Sequence, residues 1–186
     1  LCQPYAVAVD SAGALYVADL ANNRVVKYVP PFSTGMAATR VFGQGGVFTT
    51  DIANNGGISA LSLSGPRGLA VNDVALFVFD SNNRRILVYN SPNTDLAADA
   101  AIGQSDLVSG ISSTPSASRI TGSDAGLVLD AAGRLYFANR SLNRVLRFSP
   151  PFASDMAADL VLGQADFAAT AAATTATGLR SPIGVA

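Results

Sequence analysis

Few residues in this chain are able to do chemistry, and they recur at fixed intervals. Arg24, Arg84 and Arg144 stand sixty residues apart, each at the end of a polar turn. Around them lie Asn22 and Asn23, Asn82 and Asn83, and Arg140 and Asn143. A guanidinium fork recognises carboxylate or phosphate, and Asn accepts the left-handed backbone that tight turns require. Asn22, Asn23, Arg24, Asn82, Asn83, Arg84, Arg140, Asn143 and Arg144 are therefore the candidate binding set. The competing reading is structural: an Arg with a buried stem pairs with Asp19 or Asp80 and seals adjacent repeats. Recurrence in every repeat favours packing.

Other chemistry is sparse. There is no His, and all thirteen acids are Asp. Nucleophilic catalysis needs an activating base, and Lys27, the only lysine, lies in an apolar run with no evident partner. Asp106 and Asp166 are single carboxylates in loops, whereas calcium takes about 6–8 oxygens, so loop capping is expected and no metal. Tyr16, Phe77 and Tyr136 share one repeated strand position and read as core. The sequon Asn139-Arg140-Ser141 falls in a repeated turn. Cys2 is the single cysteine, so no internal disulfide forms. No cofactor is expected.

The elements that position these residues follow from a recurrent phrase. ALYVADLANNRVV from Ala14 returns as ALFVFDSNNRRIL from Ala75 and RLYFANRSLNRVL from Arg134, and Gly43-Gln44 returns at Gly103-Gln104 and Gly163-Gln164. A constant interval this long marks a repeat architecture. Residues 10–44 and 130–164 align without a gap, identical at 18 of 35 positions. In the first repeat, strands are predicted at Tyr5–Val9, Ala14–Ala18, Arg24–Val29 and Arg40–Phe42. In the second they fall near 68–71, 75–79, 84–89 and 100–102, and in the third near 126–129, 134–138, 144–148 and 160–162. Four short strands joined by brief turns make an antiparallel meander. One helical turn is the alternative for Ser33–Ala38, Asp95–Ala100 and Ala153–Ala158. Residues 45–65, 105–123 and 165–181 have loop composition. Pro182–Ala186 reads as the first strand of a fourth repeat.

Composition agrees with an all-β chain. Hydrophobic residues make up 49% and charged residues 13% of 186, and Glu and Lys, depleted in strands, are almost absent. A net charge of −1 gives no attraction to nucleic acid. No apolar run approaches the roughly 18 residues of a membrane-spanning helix.

First strands apolar on both faces are covered on both sides, which radially stacked four-stranded blades provide. The expected architecture is three β-propeller blades, at about 4–44, 66–104 and 124–164, with a fourth begun at 182–186. The pattern from Pro4 to Val25, Pro-x-x-x-Ala-Val-Asp-x-x-Gly-x-Leu-Tyr-Val-Ala-Asp-x-x-Asn-Asn-Arg-Val, resembles the NHL repeat. Gly163-Gln164-Ala165-Asp166-Phe167 resembles the ending of its longer bacterial variety. The second repeat departs from it with Asn72-Asp73-Val74 in the first turn, and the third carries Asn139 where the family has Asp. The resemblance implies a ring of six blades acting as an interaction platform. A minority of the family are enzymes, such as lyases holding a metal with His; the related lactonase-type propellers use Glu, and this chain has neither residue.

Meander topology puts the three long loops on one face with the Asn-Arg turns, the expected binding surface. Three blades leave two lateral faces open and apolar, so a partner is expected there: a second copy, or further blades of a longer parent chain. The expectation is a non-enzymatic scaffold, extracellular or at the cell surface, that assembles into a ring or polymer or binds another protein. The alternative is a piece of a larger propeller enzyme, of lyase or lactonase type, whose metal site lies elsewhere.

Overall fold

The computed structural model describes residues 1–110, 114–122 and 125–185. Residues 111–113 and 123 of the second expected loop, residue 124 of the third expected blade and Ala186 of the fourth lie outside them.

Among the described residues, twelve strands form three four-stranded antiparallel sheets, each in sequential order. The first holds β1 (Pro4–Val9), β2 (Leu15–Asp19), β3 (Arg24–Tyr28) and β4 (Arg40–Phe42). The second holds β5 (Pro66–Val71), β6 (Leu76–Asp80), β7 (Arg85–Tyr89) and β8 (Ala100–Ile102). The third holds β9 (Ala125–Leu129), β10 (Leu135–Asn139), β11 (Arg144–Phe148) and β12 (Leu160–Leu162). The innermost strands lie side by side, β1 against β5 and β5 against β9.

Two faces per sheet follow from the two-residue side-chain period. In the first sheet Val7, Val17, Val26 and Val41 pair across one face, while Ala8, Tyr16 and Lys27 belong to the other. The face bearing Tyr16, Ala18, Val25 and Phe42 packs on Leu69, Leu76, Val78, Leu87 and Tyr89 of the second sheet. The opposite face of that second sheet, with Phe77, Phe79, Ile86, Val88 and Ile102, packs on Leu127, Leu135, Phe137, Leu146 and Phe148 of the third. Phe79 and Phe137 meet edge to face at 5.0 Å, and Phe42 and Tyr89 at 5.2 Å. Each such fully buried ring contributes about 2 kcal/mol by area removed from water, so the joints between sheets hold the molecule together. The second sheet is buried on both faces, which is why β6 and β7 read as unbroken apolar runs.

The helical turns lie elsewhere than the sequence suggests. Residues 33–38, 95–100 and 153–158 contain no helix. Single 3-10 turns occupy Leu20–Asn22, Ser81–Asn83 and Arg140–Leu142, each ended by a residue in the left-handed region: Asn23, Arg84 and Asn143. The reason is the short β2–β3 type connection, where two paired strands five residues apart leave room for one tight turn. Pro182–Val185 forms no strand, although the backbone of Ile183 and Val185 lies against Gly126 of β9. No helix among the described residues is long and apolar enough to cross a membrane.

Candidate functional site

The three 3-10 turns and the long loops share one end of the stack, and the turn side chains are tied into those loops. Arg24 opens β3 opposite Asp19. Its Nε donates to Asp19 Oδ2 at 2.7 Å and its Nη1 to the Phe48 carbonyl at 2.5 Å. Arg85 opens β7 opposite Asp80 and is fully buried. It donates to Asp80 Oδ2 at 2.8 Å, to the Leu107 carbonyl at 2.6 Å, and from Nη2 to the Ser59 and Ser62 carbonyls, each at 3.0 Å. Arg144 repeats the arrangement on the carbonyls of Phe167, Ser116 and Arg119. Arg85 and Arg144 thus clamp the loop that follows their own sheet and the loop that precedes it, and Arg24 holds the loop that follows.

This geometry corrects the register of the second repeat. Arg85, not Arg84, is the counterpart of Arg24 and Arg144. Arg84 takes the position of Asn23 and Asn143, with φ +53°, and its head reaches only the Asn82 carbonyl at 3.5 Å. The first turn of the second sheet is one residue shorter, closing from Asn72 to Ala75 where the first sheet closes from Asp10 to Ala14. From the first repeat to the second the interval is 62 residues at Val7 and Leu69, 61 at Arg24 and Arg85 after this shorter turn, and sixty at Gly43 and Gly103, because the β7–β8 connection is also shorter by one.

The remaining candidates are also engaged. Asn22 donates to Asp19 Oδ2 at 2.8 Å. Asn23 donates to the Asp51 carbonyl at 2.8 Å and accepts from the Gly65 amide at 2.9 Å. Asn143 does the same with Thr170 and Ser181, both at 2.9 Å. Asn83 donates to Asp80 and exchanges hydrogen bonds with Asn54. Asn82 is exposed and donates to Ser64 Oγ at 3.1 Å. Arg140 is exposed. Of the nine candidates, Asn82 and Arg140 are exposed and Arg84 is half-buried; Asn22 supports Asp19, and Asn23, Arg24, Asn83, Asn143 and Arg144 hold the loops. Asp106 and Asp166 cap loop amides, of Val108 at 2.9 Å and of Ala168 and Ala169 at 2.8 Å.

Sequence reasoning missed two sets. Gln44, Gln104 and Gln164 reach back to the left-handed turn: Gln44 donates to the Asn23 carbonyl at 2.9 Å, Gln104 to that of Arg84 at 3.1 Å and Gln164 to that of Asn143 at 2.8 Å. The recurrent Gly-Gln pair was the available signal. The second set is at the opposite end, where Lys27 is buried, bonded to Asn93 and 3.4 Å from Asp10, with Nζ 4.8 Å from the Tyr16 ring centroid. Burial pushes the Tyr16 hydroxyl up, against the pull of Lys27. A cavity of about 230 Å³ lined by Asp10, Ser11, Tyr16, Asp73 and Asn93 opens beside it.

Electrostatics separate the three turns. Burial alone raises the Asp19 carboxyl, but hydrogen bonds from Asn22, the Cys2 amide and Arg24 outweigh it and hold the group below the usual range. Complete burial pushes Asp80 up against the attraction of Arg85. At the third turn Asn139 replaces the carboxylate. Both of its side-chain polar atoms and Arg144 Nε are buried without a hydrogen-bond partner among the described residues. Desolvation lowers the Arg144 guanidinium to about 10. Asn139 is only 1% exposed, so the sequon is closed to glycosylation in the folded chain. Among the described residues no group of three His, Cys, Asp or Glu converges as a metal site would.

Residues 1–28 match the NHL repeat family. The architecture itself is given by the three stacked four-stranded sheets. The three sheets are β-propeller blades, and the first carries the NHL-repeat match. A solved structure of hydrazine synthase from Kuenenia stuttgartiensis superposes with a TM-score of 0.58 at 11% identity, over 90% of this chain and 38% of that one. A protein of unknown function from Bacteroides thetaiotaomicron VPI-5482 superposes at 0.51 with 16% identity, over 88% and 34%. The blades therefore span between about a third and two fifths of those chains, and the likeness is one of fold. No curated protein sequence matches the chain.

Proposed function

We propose that these NHL blades form a non-enzymatic scaffold that works by association, with a second copy of the chain as the first partner, outside the cell or at its surface. The observation that carries the reading is unequal exposure of equivalent positions. Val7 is 63% exposed where Leu69 is 5% and Leu127 is 8%; Leu162 is 48% exposed where Phe42 and Ile102 are 0%. Internally these positions are covered by a neighbouring blade. At the ends they offer apolar surface of the kind that marks an interaction site. The polar groups of the loop end support the same reading, because the clamped Arg, Asn and Gln side chains hold loops instead of facing a substrate. Light scattering across a concentration series tests it: mass rising with concentration is expected, and a single unchanging monomer mass would overturn self-association.

A second reading rests on length. The chain covers 38% of the hydrazine synthase chain it superposes on, so a larger propeller enzyme with its reactive groups in other blades is the alternative. An intact mass of the native protein well above that of these 186 residues, together with turnover, would favour it.

A further inference from the structure

We infer that the recess between the first and second blades, at the end opposite the long loops, binds one neutral sugar ring through Asp10, Asp73 and Asn93. The inference stands apart from self-association, because the recess lies between two blades of one chain.

The two joints of the stack provide a comparison. Phe32, Asn93 and Phe152 occupy one position, four residues beyond the ends of β3, β7 and β11. Cross-strand pairing likewise makes Tyr16 and Lys27 the counterparts of Phe77 and Val88. Where the third blade meets the second, Phe152 packs edge to face on Phe77 at 4.8 Å, and Val88 is buried in the same apolar cluster. A recess of about 330 Å³ at that joint is lined by Val74, Phe77, Pro150, Pro151 and Phe152 and has no charged group in its wall. Where the second blade meets the first, Asn93, Tyr16 and Lys27 stand at the same three positions. The recess at this joint, about 230 Å³, has Asp10, Ser11, Asp73 and Asn93 in its wall.

Stability does not account for the exchange. The side chains of Lys27 and Asp10 are almost wholly buried. A buried ion pair is often no better than apolar residues of the same volume, and Val88 shows that the position accepts one. The pair does orient the recess. Lys27 donates to Asn93 Oδ1, which leaves the Asn93 Nδ2 as a donor at the wall. Asp10 Oδ1 accepts from the Ala14 amide at 2.9 Å. Among the described residues its Oδ2 has Lys27 Nζ and the Tyr16 hydroxyl, both at 3.4 Å, beyond the usual span of a hydrogen bond. A buried carboxylate oxygen held so loosely has capacity for a closer donor. Ser11 donates to Asp73 Oδ1, and Asp73 is exposed at the rim.

Charge selects the ligand. Two carboxylates and one ammonium leave the recess with a net negative charge, which repels an anion. Lys27 already fills the place between Asp10, Asn93 and the Tyr16 ring that a cation would take. What fits is a neutral group that donates to carboxylates and accepts from an amide. Adjacent sugar hydroxyls do both, and their bonds to ionised oxygens are of the stronger, charge-assisted kind. Ala12, Tyr16 and Pro92 supply apolar wall for the C–H face of the ring. The volume lies below the roughly 300–1,000 Å³ of drug-sized pockets, so the site takes one ring.

Titration calorimetry of the whole chain with D-glucose, D-galactose, D-mannose and N-acetylglucosamine tests the site. At least one is expected to bind with a Kd of about 1 mM, and sodium acetate and methylammonium chloride are expected not to bind. Asp73→Ala, at an exposed position, is expected to weaken binding about tenfold. Lys27→Val combined with Asn93→Phe copies the other joint and is expected to abolish binding. Thermal unfolding checks that both variants fold. Methyl glycosides of the bound sugar separate two sources: retained binding indicates the end residue of a glycan, lost binding a free sugar, and both uphold the recess. No saturable binding of any of the four sugars overturns the inference. So does equal binding by wild type and both variants, or binding of either ion in place of sugar.

Discussion

At the scale of single residues, the three turns make a natural experiment. Asp19 and Asp80 give their Arg a carboxylate, while Asn139 leaves Arg144 Nε and its own amide without partners. Arg144 is already buried, so its desolvation is already incurred in the native fold. Asn139→Asp should return the missing acceptor and stabilise the fold by about 1 kcal/mol or more. Urea unfolding measures it, and a lower midpoint than wild type would refute the account. The reverse change in the second blade, Asp80→Asn, strands the buried Arg85 and should cost about 3 kcal/mol.

At the scale of elements, each blade ends on a glycine that its loop closes over. Gly103 has φ +94°, and a Cβ there would stand 2.3 Å from Ile120 Cγ1. Gly103→Ala combines left-handed strain with overpacking, and should destabilise by about 2–4 kcal/mol. Gly35→Ala is the control: its φ is +77°, but nothing lies within 4 Å of the added Cβ. It should cost only the backbone strain, about 1–2 kcal/mol. Equal losses in thermal unfolding would show that the loop closure is slack.

For the whole molecule, acid stability follows from the carboxylates. Asp19, Asp95, Asp106, Asp130, Asp159 and Asp166 are held below the ordinary Asp range, chiefly by hydrogen bonds from nearby amides and side chains that prevail over any burial. Depressed groups contribute stability that is complete above the unfolded value of about 3.9 and lost as pH falls through the folded one. Asp80, raised by burial, works in the opposite direction. The depressed groups predict a Tm that falls as pH drops below about 4, with Asp80 opposing that fall. A Tm that rises on acidification through that window would contradict it.

The amino-acid sequence by itself determined the repeat, the four-strand meander and the stacking, because strand alternation, turn residues and the Gly-Gln punctuation are local signals that survive any tertiary arrangement. It also placed the loops and the Asn-Arg turns at one end, which connection order dictates. Tertiary structure alone decided which Arg is the clamp. Arg84 and Arg85 are adjacent, and only cross-strand pairing with Asp80 shows that the role falls on Arg85. It alone showed that Asn23, Arg24, Asn143 and Arg144 spend hydrogen bonds on loop carbonyls, since those carbonyls lie more than twenty residues away and backbone acceptors leave no mark in a sequence. The unequal ends of the stack became visible for the same reason: Val7 and Leu69 are alike as residues, and what separates them is whether a blade lies alongside.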